Sequence, residues 1–187
     1  MSVGSIPPLL HRDRLRRVVF LCCSFARNVA FYSAGMSEHA RPLMSIDHPQ
    51  VAFWRQVNGN FFDMAVLDWC KLFVDRDGRQ NWRKIVSKIE NFESNLLVDC
   101  RVNKDEFSDI IKQFRHYRNK YLAHLDDEET IIPFLENARP FVTFYHRYIV
   151  EYEAKTGELE GLPSPDDFAK GHNQCLEEAT RAYCLIR

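Results

Sequence analysis

The sequence has no CxxC pair and no Cys/His cluster at zinc spacing, although it carries six cysteines: Cys22, Cys23, Cys70, Cys100, Cys175 and Cys184. Nothing in it reads as a zinc site. The thiols are expected to be free and mostly buried, as in a reducing cytoplasm. Charge of one sign is lacking too. With 25 Lys and Arg against 26 Asp and Glu, the formal net charge is −1. The chain therefore offers no global positive field to recruit nucleic acid, and any such binding must use a local patch. There is no long apolar run, since "VVFLCCSFA" at residues 18–26 is much too short to span a bilayer. No small-residue cleavage site follows it cleanly, so neither a signal peptide nor a membrane partner is expected, and the location reads as cytoplasmic. Alternation at strand period is almost absent, as are internal repeats and low-complexity tracts.

What is present is apolar residue at helical spacing. In 187 residues, 45% are hydrophobic and 14 are Phe, which is material for one sizeable core. The reading is an all-α, up-and-down helical bundle over residues 1–155, with a linker and an additional C-terminal helix over 156–187. Leu15, Val18, Val19, Cys22, Phe25, Ala26 and Val29 make one face of a first helix, and a polar loop then runs to Pro49. A second helix carries Val51, Trp54, Phe61, Ala65, Trp69 and Leu72, and turn chemistry in "VDRDGRQ" ends it. A third runs from Trp82 through Ile85, Val86 and Ile89 to Phe92 and on towards Leu96. Asn103, with Glu106 three residues later, signals the start of a fourth. The fifth spans roughly 134–152 with Pro140 inside its period, so it either kinks there or starts nearby. Ser164, Pro165 and Asp167 open a short final helix. Phe114, Tyr121, Trp54, Trp69, Trp82 and Phe141 are expected to share one core.

The fourth helix runs into "RHYRNKYLAHLDD", residues 115–127. Arg118 falls at the margin of the apolar face, seven residues after Ile111 and four before Leu122. His116, Lys120 and His124 follow at spacings of four and form a stripe beside it. Together with Arg115, this face has the chemistry to grip a polyanion. The plainer reading is electrostatic: basic residues near a helix C-terminus are favoured by the macrodipole and cap free carbonyls. The stripe Trp54, Phe61 and Trp69 reads as core in preference to a base-stacking platform. The cluster Arg12, Arg14, Arg16 and Arg17 reads as a solvated first turn in preference to an RNA contact.

An Arg, a polar residue and a His a few positions on, at the end of a helix in an all-α chain, resembles the signature of the HEPN superfamily (higher eukaryotes and prokaryotes nucleotide-binding domains). Arg118, Asn119 and His124 match its R-x4-6-H form. The run "YRNKYLAHLD", with "LDWCKLF" and "NWRKIV" upstream, looks like the abortive-infection U-type (AbiU-like) branch, and the resemblance covers roughly residues 12–155. It implies a metal-independent endoribonuclease, with no cofactor and no metal, in a toxin or antiphage role. RNA would be the substrate, because only RNA supplies the 2′-hydroxyl that attacks the adjacent phosphorus. In that scheme His124 moves the proton, Arg118 stabilises the phosphate, and Asn119 orients one of them or bonds the phosphate. Lys120, Arg115 and His116 would hold the RNA backbone. Asp68, a charge inside a strongly apolar helix, would orient Arg118 or His124, or else simply sits at the surface.

Two positions after His124, where the better-studied toxin pattern has Tyr, this chain has Asp126. Six steps on a regular helix put His124 about 240° around from Arg118 and about 9 Å along it, so one helix cannot aim both at one phosphate. Pairing two fourth helices in a homodimer would, and the resemblance implies the same arrangement. An antitoxin or sensor protein would be a further partner. The competing readings are a non-catalytic HEPN module that binds a nucleotide or RNA or scaffolds a partner, and an unrelated helical protein whose motif is a helix cap.

Overall fold

A computed structural model of the chain describes residues 11–122 and 131–185. Among these residues there are eight α-helices and no strand, so the all-α reading holds. The first helix, α1 (His11–Gly35), buries Leu15, Val18, Val19, Cys22, Phe25 and Val29. The apolar run at 18–26 is therefore the middle of a 25-residue helix, long and apolar enough by length and composition to cross a membrane. More than half of that window is buried inside the protein, as expected of a core helix.

The loop before Pro49 contains a single-turn helix, α2 (Arg41–Met44), with Pro42 in its first turn, where a missing N–H costs nothing. Next come α3 (Val51–Trp69) and a π turn at Cys70–Val74. The continuous third helix expected from the apolar period is instead two pieces, α4 (Trp82–Ile85) and α5 (Ile89–Asp99). Asn81 caps α4, its Oδ1 accepting from the Arg83 N–H at 3.1 Å, and Val86 is extended at φ −77°, ψ 130°. The period survives the break because both pieces pack on one core, with Trp82 stacked on Phe92 at 5.1 Å. At the C-terminus of α5, Arg101 is left-handed (φ 55°) and the Val102 N–H reaches the Leu97 carbonyl at 3.0 Å, a Schellman closure.

The predicted capping box opens α6 (Lys104–Tyr117). Asn103 Oδ1 accepts from the N–H groups of Asp105 and Glu106, each at 2.9 Å, and the Glu106 carboxylate accepts from the Asn103 N–H at 2.7 Å. The helix then passes into a second π turn at Arg118–Leu122. α7 (Leu135–Tyr148) continues through Pro140, so it does not start there, and ends in a third π turn, Ile149–Glu153. The final helix, α8 (Pro165–Leu185), has 21 residues and is far longer than expected. Ser164 caps it as predicted, with its Oγ accepting from the Asp167 N–H at 3.2 Å.

Ring contacts give the layout. Phe73 meets Phe107, Trp69 meets Phe114 and Phe62 meets Tyr117, so α3 and α6 run antiparallel. Phe31 and Tyr32 meet Phe61 and Phe62, while α8 lies along α1 and is tied by His172 Nδ1 to the Ala26 carbonyl at 3.0 Å. Trp69, Trp82, Phe114 and Phe141 share the main core. The other two rings assigned to it do not. Trp54 packs beside a smaller cluster with Tyr183, and Tyr121 is 45% exposed because the π turn rotates it out of the α6 face. Arg16 is no free cation either: its Nη1 donates to the carbonyls of Glu158 and Glu160 at 3.3 and 3.0 Å, holding the linker against α1. All six cysteines are free thiols, and Cys22 and Cys70 are buried.

Candidate active site

Arg118 is where α6 stops being an α-helix. Its N–H still bonds back to Phe114 and Arg115, but from here to Leu122 the backbone takes the wider i→i+5 turn, a local distortion often found at functional sites. The regular-helix premise behind the expected 240° separation therefore fails at Arg118 itself. His124 lies outside the described residues, as do Asp126 and Asp127.

The Arg118 guanidinium is held from two sides. Nη1 pairs with Asp75 Oδ1, and Nε donates to Asn119 Oδ1 at 3.0 Å. Nη2 has no partner among the described residues. The Arg118 side chain is 24% exposed, so it is in part open to solvent. Asp75 follows directly on the π turn that ends α3, and that turn is fixed to α6 by the Cys70 thiol, whose Sγ donates to the Phe114 carbonyl at 3.7 Å. Burial pushes the Cys70 thiol up to about 12 despite the nearby cations Arg118, Arg115 and Lys71. It stays protonated and serves as a structural donor, with no thiolate for chemistry.

The remaining expected residues divide. Asn119 touches Arg118 directly, and Lys120 lies one residue further along the same π turn. Arg115 is exposed one turn back and His116 is half-buried. Asp68 is 2% exposed and pairs with Lys71 at 3.2 Å, with its Oδ2 buried and unpartnered. The carboxylate paired with Arg118 is that of Asp75, and that of Asp68 is paired with Lys71. Sequence reasoning missed Asp75 because it sits in "VDRDGRQ", read only as turn chemistry, 43 residues from Arg118. On the other side of the motif, Tyr117 donates its hydroxyl to Asp63 Oδ1 at 2.8 Å. Among the described residues, no group of three His, Cys, Asp or Glu side chains is placed to hold a metal ion.

The AbiU2 family model, a HEPN family, matches residues 18–148. The match spans more than two thirds of the chain and includes Arg118, Asn119 and His124. The chain belongs to the AbiU2 family of HEPN proteins. Searches of the curated proteins and of the solved structures returned no match. Within this abortive-infection-related HEPN domain, the match runs from inside α1 to the end of α7, and α8 lies beyond it, along α1.

Proposed function

We propose that this AbiU2-family chain is an endoribonuclease of the HEPN type, acting in abortive infection and needing no metal. The observation that carries this reading is the state of Arg118: a guanidinium clamped by Asp75 and Asn119, with Nη2 uncommitted among the described residues, at the start of the family's R-x4-6-H motif. A cation kept only to cap helix carbonyls needs no such clamp. One held for a developing phosphorane charge does, because an oriented donor stabilises the transition state without reorganising.

In the reaction, the 2′-oxygen of RNA attacks its own 3′-phosphorus. The 2′-O–P bond forms, the P–O5′ bond breaks, and the products are a 2′,3′-cyclic phosphate and a free 5′-hydroxyl. One proton leaves the 2′-hydroxyl and one arrives at the departing 5′-oxygen. His124 moves a proton, and Arg118 Nη2 donates to a non-bridging phosphoryl oxygen. Asn119 keeps the guanidinium plane fixed, and Arg115, His116 and Lys120 meet the flanking backbone. Two chains paired near the ends of α6 form the active unit, doubling the Arg and His at one cleft. The test is cleavage of RNA in the presence of chelator. Arg118→Ala and His124→Ala should each lower the rate by about 10²–10⁴-fold with helical content unchanged. Full activity in purified His124→Ala protein removes the assignment.

A further inference from the structure

Between the middle of α3 and the end of α6 lies a cleft of about 380 Å³, within the range of small-ligand pockets. Tyr32, Arg55, Gly59, Asp63, Tyr117 and Tyr121 are among its lining residues. We propose that this cleft is a nucleobase subsite that prefers guanine.

Three independent features support it. Tyr121 is stacked on Tyr117 with ring centroids 5.1 Å apart at 27°, yet remains 45% exposed. One face of the ring is taken by Tyr117, and the exposed remainder is a ready platform for a base. Second, Asp63 accepts from Tyr117 through Oδ1 only, and Oδ2 has no partner among the described residues. A carboxylate with acceptor capacity on both oxygens matches two adjacent N–H donors. Guanine presents that pair, N1–H and N2–H, on its Watson–Crick edge. Adenine and cytosine offer an amino group beside a repelling ring nitrogen, and uracil offers one N–H between two carbonyls.

The third feature is Gly59. It sits inside α3, where glycine costs about 1 kcal/mol against alanine, and a Cβ built on it would meet nothing within 4 Å. Packing within the fold does not require the glycine. It opens into the cleft, where the missing Cβ lets a flat ligand lie against the helix backbone. Arg55 stands at the rim with Nε and Nη2 fixed on the Met44 carbonyl at 3.2 and 2.9 Å, leaving Nη1 without a partner among the described residues.

The placement relative to Arg118 follows from the motif itself. Tyr117 reaches Asp63, inside α3, and Arg118 reaches Asp75, just past the π turn that ends it. A strand laid along α3 would set a base in the cleft and its backbone towards the guanidinium. The guanine preference stands on the cleft. That the base belongs to an RNA substrate rests on the ribonuclease reading.

The experiment is titration of the full chain with GMP, AMP, CMP and UMP, followed by amide chemical shifts. GMP is expected to bind several-fold more tightly than the others and to move the Gly59, Asp63 and Tyr121 signals. Asp63→Asn keeps an acceptor for Tyr117 but replaces the second oxygen with a donor, so GMP binding should weaken by about tenfold to a hundredfold. Gly59→Ala should raise the melting temperature by about 3 °C while weakening GMP binding. Equal affinity for the four nucleotides, shifts elsewhere in the molecule, or undiminished GMP binding by folded Asp63→Asn or Gly59→Ala protein overturns the proposal. Cleavage of RNA without guanine binding removes this subsite and leaves the ribonuclease reading intact. Guanine binding at the cleft without cleavage does the reverse.

Discussion

Replacing Asp75 separates a catalytic clamp from an ordinary ion pair. The pair with Arg118 is partly open to water, with the two side chains 24% and 35% exposed. Its net contribution to stability is therefore small, about 0.2–1 kcal/mol. In a chain of this size that corresponds to a fall in melting temperature of about 1–3 °C for Asp75→Ala. Its effect on cleavage should be much larger. Without Asp75, Nη1 loses its anchor and only the Asn119 contact fixes the plane, so the guanidinium samples positions an ångström or more away from the phosphoryl oxygen. Misplacement on that scale costs about 10²-fold in rate. Removing a carboxylate from beside an anionic substrate should not raise KM, so the loss should fall on kcat. Asp75→Asn, which keeps an acceptor, should retain more activity than Asp75→Ala. Single-turnover cleavage of end-labelled RNA beside thermal melts gives both numbers. A rate within twofold of the parent, or a rise, would show that Asp75 competes with the phosphate and does not position Arg118.

Three further outcomes concern the fold. Asn103→Ala removes both cap bonds at the start of α6 and should cost about 1 kcal/mol, read as a melting-temperature decrease of about 2–4 °C. Burial holds His146 down at about 4, well below the ordinary imidazole value, and holds His172 down as well. The unfolded chain thus binds more protons between about pH 6.5 and 4, so stability is fully present above 6.5 and falls as pH drops through that window, by about 3 kcal/mol for His146. Melts across that range should show the slope, and His146→Leu should flatten it. Arg16→Ala frees the carbonyls of Glu158 and Glu160 and should make the linker before α8 measurably more sensitive to limited proteolysis.

Local signals were legible in the sequence, and contacts between distant segments were not. The Asn103–Glu106 box and the Ser164 cap lie within four residues of the bonds they make, and both appear as expected. Apolar periodicity found the core helices because burial enforces it, yet it ran through the break at Val86, where two short helices keep one set of core positions. It also placed Tyr121 on the apolar face, since the π turn that turns it outward follows from no residue type in "RNKYL". At the site, Arg118 and Asn119 were visible because the motif is contiguous. Asp75 was not, because its role exists only once α3 packs antiparallel on α6. Asp68 stood out as a charge among apolar residues, and it proves to be neither at the surface nor on Arg118 but buried and paired with Lys71.

The most direct test of the central claim uses an RNA with one 2′-deoxy nucleotide at a mapped cleavage position, digested by the purified chain in chelator, with product ends analysed by mass spectrometry. The account predicts 2′,3′-cyclic phosphate and 5′-hydroxyl ends at the unmodified position, no cut at the deoxy position, and a rate about 10²–10⁴-fold lower from Arg118→Ala. Cleavage at the deoxy position, or products carrying a 5′-phosphate, would contradict it, because neither can arise from attack by the neighbouring 2′-oxygen.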